Sequence, residues 1–168
     1  DGNARPKNTK DSMEAIWQNP PPAQQAENML RAAGYDRPGA VLKLLEYLKN
    51  DPETRALSPR GRRRLDQLVP RFLKEISAFE DPLTTLHRIV DLVKTIERRT
   101  SYLALLLENP TVRSHLVKLS EASPWIASFL ARHPVLLDEL LDELEVEEVE
   151  EELEELEELE ELLELVPP

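Results

Sequence analysis

From Ala23 onward, five times along this chain a short polar residue stands directly before a proline: Asp51-Pro52, Ser58-Pro59, Asp81-Pro82, Asn109-Pro110 and Ser123-Pro124. Asp, Ser and Asn side chains accept hydrogen bonds from the free N–H groups that open an α-helix. Proline at the first helical position loses nothing, because its missing N–H would have had no partner there. Each pair therefore marks a helix start. With the looser His133-Pro134, the pairs cut the chain into short helices.

Apolar spacing between these marks agrees. Val41, Leu42, Leu44, Leu45 and Leu48 form one stripe, running from near Pro38 to Asn50. Leu65, Leu68, Val69, Phe72, Leu73, Ile76 and Phe79 form a second, with Pro70 inside it and expected to bend the helix. Leu83 to Ile96, Tyr102 to Leu107, Val112 to Leu119, Trp125 to Leu130 and Val135 to Leu144 continue at steps of three and four. Four glycines in 168 residues are too few for a hairpin-rich fold. The prediction is an all-α chain, an array or bundle of short helices with a long acidic C-terminal helix or tail.

Three regions are expected. Residues 1–22 read as a flexible lead-in closed by Asn19-Pro20-Pro21-Pro22, with Ile16 and Trp17 able to dock onto a neighbour. Residues 23–142 read as the helical domain, with Gly34 as a helix C-cap after Ala33. Residues 143–168 are a glutamate/leucine text of low complexity. Its leucines at 153, 156, 159 and 162 recur every three residues, so the stripe winds around a helix instead of holding one coiled-coil seam. Unpaired glutamates three or four apart weaken that helix at neutral pH.

The net charge of −12 is all tail. Fourteen of the 33 acidic residues follow Asp142, which leaves 19 acids against 21 bases in the rest of the chain. A near-neutral body gives little electrostatic support for nucleic-acid binding. The absence of cysteine excludes disulfides, thiolate metal sites and a cysteine nucleophile. No stretch reaches the length of a membrane span and no signal peptide opens the chain, so a cytoplasmic protein is expected. The start at Asp1, without methionine, fits a fragment or a processed chain.

No reaction centre is legible. His87, His115 and His133 are too far apart for a local metal motif, and Ser101, Ser120 and Ser123 lack a nucleophile elbow. Gly2, Gly34, Gly39 and Gly61 are scattered and form no phosphate loop. The run Arg60, Arg62, Arg63, Arg64, with Arg98 and Arg99 downstream, offers contact with phosphate or an acidic surface, against the simpler expectation of a solvated helix face. The glutamate tail lacks the liganding geometry of a calcium loop. Tyr102, Trp125 and Phe129, at helical spacing among leucines, are expected in the core. Catalytic, cofactor-binding and metal residues are all predicted as none.

Three separated blocks carry a family resemblance. They are Arg98-Arg-Thr-Ser-Tyr-Leu-Ala-Leu-Leu-Leu-Glu-Asn-Pro110, Ser123-Pro-Trp-Ile-Ala127 and Leu130-Ala-Arg-His-Pro-Val-Leu-Leu-Asp-Glu-Leu-Leu-Asp142. In order and spacing they resemble the central helical region of the bacterial bifunctional glutamine synthetase adenylyltransferase/adenylyl-removing enzyme, over about residues 16–142. Ala33 to Pro38, Leu57 to Arg62 and Arg64 to Pro70 fit the same region. The resemblance implies a cytoplasmic parent enzyme with two nucleotidyltransferase domains using ATP and Mg2+, with glutamine synthetase and the PII protein as partners. That family's Gly-Ser turn and paired aspartates are missing here, so no catalytic residue transfers to any position. From Glu143 the sequence departs into Glu-Leu repeats. The implied role is a non-catalytic helical region that links and positions the nucleotidyltransferase domains, inactive alone, through a packed face around Tyr102, Leu106, Trp125, Leu137 and Leu141. The alternative is a free-standing helical interaction module with no enzymatic role.

Overall fold

A computed structural model describes residues 9–133, 135–142 and 146–165. All regular structure among them is helical: α1 (Thr9–Gln18), α2 (Ala23–Ala33), α3 (Pro38–Asn50), α4 (Pro52–Arg55), α5 (Pro59–Ile76), α6 (Pro82–Ile96), α7 (Thr100–Glu108), α8 (Pro110–Ala122), α9 (Pro124–Arg132), α10 (Val135–Asp142) and α11 (Val146–Glu164). No described helix is long and apolar enough to cross a membrane. The chain divides into two compact units, residues 1–133 and 134–168.

The polar-proline steps open helices as expected, but only three of the five cap with the polar side chain. Asp51 accepts from the Glu53 amide at 2.9 Å, Ser58 from Gly61 at 3.1 Å and Asp81 from Thr84 at 3.4 Å. Asn109 and Ser123 make no such bond, although Pro110 and Pro124 begin their helices. The Asn109 amide turns backward instead and donates to the Leu105 carbonyl at 2.8 Å, closing α7. Pro134 lies outside the described residues.

Gly34 ends α2 as read. Its amide and that of Tyr35 both reach back to the Leu30 carbonyl, and its φ is +126°. A side chain is excluded there twice over, since a Cβ would also lie 2.5 Å from the Ser77 carbonyl oxygen at the end of α5. That close approach lets the buried Tyr35 hydroxyl donate to the Leu73 carbonyl of α5 at 2.7 Å.

Within the first unit, α5 is the spine. Helices α1 and α7 pack on it, α6 packs against α3, α8 and α9, and α2 lies on α3. The stripes read from the sequence supply the core: Leu65, Leu68, Phe72, Leu73 and Ile76 of α5, Leu86, Ile89 and Leu92 of α6, Leu103 and Leu106 of α7, and Leu116 of α8 are at most 2% exposed. In the second unit, Leu137 of α10 is buried, whereas Leu159, Leu162 and Leu163 of α11 are exposed.

The expected flexible lead-in requires correction over residues 9–18. These residues form α1, and Met13, Ile16 and Trp17 are fully buried against the domain. Burial of these three large apolar side chains orders the segment, and Pro70, which α5 carries in its interior, sets where part of it docks. Proline has no N–H, so the carbonyl four residues earlier, at Asp66, loses its helical partner. Helix α1 meets that gap. Gln18 Nε2 donates to the Asp66 carbonyl at 3.1 Å, and Trp17 Nε1 donates to the Asp66 carboxylate at 2.9 Å. Lys49 and Arg62 flank the Trp17 ring, at 4.8 and 6.0 Å from its centroid. Residues 1–8 lie outside the described residues.

A double-mutant cycle tests this coupling. Gln18→Ala is expected to cost about 1 kcal/mol in the chain carrying Pro70. It should cost much less with Pro70→Ala, where the new amide takes the Asp66 carbonyl itself. Urea unfolding of the four variants reads the difference, and equal costs in both backgrounds would show that the two residues act separately.

Candidate functional site

Two groups of polar side chains are built into the interior of the first unit. Sequence separation hid both.

The first surrounds Arg113, which is 6% exposed at the start of α8. Helix α7 carries no basic residue in its last turn, so its terminal carbonyls lack a local cation. Neighbouring helices supply arginines. Arg113 donates to the Leu106 carbonyl at 2.9 Å and, through Nε, to Glu75 Oε1 of α5 at 2.6 Å. Arg71 of α5 donates to the Leu107 carbonyl at 3.2 Å. Arg113 thereby joins α5, α7 and α8. Helix α8 repeats the arrangement: with no basic residue in its own last turn, it receives Arg88 of α6 on the Ser120 and Glu121 carbonyls at 2.7 and 3.2 Å. Glu75 Oε2 is buried without a hydrogen-bond partner and sits by a cleft of about 390 Å³ lined also by Pro70, Arg71, Lys74, Ala78 and Arg113.

The second group lies where the start of α4 meets the end of α6. Asp51, Glu53 and Glu97 bring carboxylate oxygens within 4.8 Å of one another. Glu97 is fully buried, and both of its oxygens face the Thr54 hydroxyl, at 2.8 and 2.9 Å. Burial pushes its carboxyl up to about 7; the Thr54 hydrogen bond opposes the shift, and the Asp51 and Glu53 carboxylates add to it. The backbone amide of Glu53 and the Lys94 ammonium, 3.1 Å away, hold Asp51 below the ordinary carboxylate range. Arg98 pairs with Glu53. Lys94 also stands 3.9 Å from the Tyr47 ring centroid. Three carboxylates at this spacing could hold a divalent cation, but Lys94 and Arg98 already neutralise two of them. The arrangement is an ion-pair network closed around one buried acid.

The residues singled out in the sequence belong to several helices. Tyr102 and Leu106 are buried on α7, which packs chiefly against α5; Trp125 is half-buried on α9, which packs chiefly against α6 and α8. Leu137 belongs to the second unit, and the side chain of Leu141 is outside the described residues. Trp125 and Phe129, expected in the core, are only half-buried: their rings stack at 4.7 Å on α9, and the His133 ring at the end of that helix lies tilted against Phe129 at 4.6 Å, so they form a partly exposed ladder outside the core. In the basic run, Arg60 and Arg63 are exposed, and Arg62 pairs with Asp66 at 3.1 Å.

These features define a class of protein, an all-helical scaffold whose polar interior residues fasten helices to one another. Sequence comparison supplies its relatives, and over most of its length the chain is similar to a segment of bifunctional glutamine synthetase adenylyltransferase/adenylyl-removing enzymes. It is 47% identical over 128 residues to the enzyme of that name from Thioalkalivibrio sulfidiphilus, covering 76% of this chain and 13% of the relative. It is 48% identical over 114 residues to that of Nitrosococcus oceani, covering 68% and 12%, and 39% identical over 128 residues to that of Pseudomonas putida, covering 76% and 13%. The chain thus spans about an eighth of the length of these relatives. No family model matches it.

Two measurements check the site. Arg113→Met is expected to destabilise the chain by about 3 kcal/mol, because it strands Glu75 and the α7 carbonyls in the interior. A loss under about 1 kcal/mol on urea unfolding would count against the node. The second is a pH dependence. Glu97 titrates near 7 when folded against an ordinary value of 4.5, so the folded chain keeps a proton that the unfolded chain has released. Stability from this group is complete below about 4.5, falls as pH rises toward 7, and then stays low. Glu97→Gln removes that slope and should exceed the parent chain at pH 8 by up to about 3 kcal/mol, with little advantage near pH 5.

Proposed function

We propose that this chain serves as a non-catalytic helical region of a bifunctional glutamine synthetase adenylyltransferase/adenylyl-removing enzyme, linking and positioning its nucleotidyltransferase domains. The observation that carries the reading is the 47% identity over 128 residues with one segment of such an enzyme. An all-helical interior suits the role: helices fastened by Arg113, Arg88 and Tyr35 transmit position, because a packed core resists small deformations. AMP transfer to glutamine synthetase, and its reversal, then belong to the flanking domains of a cytoplasmic parent enzyme, which bind ATP and Mg2+. Glutamine synthetase and the PII protein are that enzyme's partners.

A second reading, a free-standing helical interaction module, draws on α11, where Leu159, Leu162 and Leu163 are 54 to 72% exposed.

An AMP-transfer assay with glutamine synthetase, ATP and Mg2+ separates the chemistry from the scaffold. The isolated chain is expected to transfer no AMP, and appreciable transfer would place a reaction centre in it. Flanking nucleotidyltransferase domains prepared separately should co-elute with the chain on size exclusion. Failure of both to bind it would favour the second reading.

A further inference from the structure

The contact between Glu97 and Thr54 counts its own protons. Two Glu97 oxygens lie 2.8 and 2.9 Å from one hydroxyl oxygen, and Thr54 carries a single hydrogen to place between them. An ionised Glu97 can receive that hydrogen at one oxygen only, leaving the other facing Thr54 lone pairs in a site with no solvent exposure. A neutral Glu97 satisfies both contacts: its own O–H donates to Thr54 Oγ1, and the Thr54 hydroxyl donates to the other carboxyl oxygen. Among the described residues, the charged groups around Glu97 are of like sign or already paired, and only the Lys94 charge favours its ionised form. From the start of α4, Asp51 and Glu53 face it as carboxylates. From α6 and its end, Lys94 is taken by Asp51 and Arg98 by Glu53, while Tyr47 of α3 lies against Lys94.

Thr54 is the one buried residue of α4, a single turn that connects α3 to α5. Its other ties to α6 run through Asp51 and Glu53 at the rim. We propose that Glu97 is a proton-operated latch for this connection: with the proton on, the paired acid and hydroxyl hold α4 against the end of α6, and with the proton off, α4 is released. Ionisation removes one of the two hydrogen bonds and adds a third negative charge within 4.8 Å of the Asp51 and Glu53 carboxylates. Both changes strike the contact through which α4 is held, while the apolar cores of α5 and α6 lie elsewhere. The raised titration range of Glu97 puts the change near neutral pH.

Hydrogen exchange of the full chain tests the latch. The amides of Arg55, Ala56 and Leu57 are bonded to the Asp51, Pro52 and Thr54 carbonyls and report on α4. After correction for intrinsic base catalysis, their protection should fall at least tenfold between pH 5.5 and 8.5 and end well below that of the α5 amides around Leu68, whose own loss follows the stability of the whole domain. In Glu97→Gln, which is neutral at every pH, protection at 55–57 should not change with pH. Unchanged protection in the parent chain, protection at 55–57 equal to that around Leu68 at pH 8.5, or the same pH response in Glu97→Gln would overturn the proposal. Should the variant misfold by circular dichroism, 13C titration of the Glu97 carboxyl in the parent chain decides: a midpoint below about 5.5 rejects the latch.

Discussion

Short helices make one problem acute: the last four carbonyls of each have no partner in their own helix. In an 8- to 13-residue helix that is a third to a half of the acceptors, and burying them unbonded would cost more than the marginal stability of a domain. This chain answers with donors from elsewhere. Gln18 serves the carbonyl freed by Pro70, Arg71 and Arg113 serve the end of α7, and Arg88 serves the end of α8, while Tyr35 adds a second bond to the Leu73 carbonyl, which already accepts from Ser77. The apolar stripes decide that the helices pack. These polar contacts decide which end lies beside which.

That division explains what could be read from the residues. The helix starts and the stripes are local signals, and α3, bounded by Pro38 and Asn50, lies where both placed it. Gly34 was legible because a helix stop and a glycine coincide. Helix α1 was not, because the surface on which Met13, Ile16 and Trp17 are buried, and the Pro70 gap beside it, lie some fifty residues away in α5. The proline advertised a broken bond but not the identity of the group that would repair it. Asn109 misled for a related cause: its side chain can serve the helix behind it or the helix ahead, and sequence does not rank the two. The candidate site was hidden most completely. Asp51-Pro52-Glu53-Thr54 reads only as a helix start, and Glu97 as one more charge at a helix end, until the fold sets them together.

The same contacts reconcile the charge pattern with the family likeness. The body is nearly balanced, and its interior cations are committed to carbonyls and carboxylates within the domain. Arg113 and Arg88 hold helices, while the exposed Arg60 and Arg63 stand apart from these ties. The most precisely placed polar groups of the segment are thus spent on holding helices in position.

The long-range side-chain ties span a narrow interval of the chain, from 32 residues for Arg88 with Ser120 to 49 for Trp17 with Asp66. Loop-closure entropy grows only with the logarithm of length, so over this range it varies by about 0.4 kcal/mol. Among the described residues, none of these ties reaches beyond 49 positions. During synthesis each can close once some fifty further residues have left the ribosome, so the helices are able to fasten in order from the N-terminal end, each on a foundation already set.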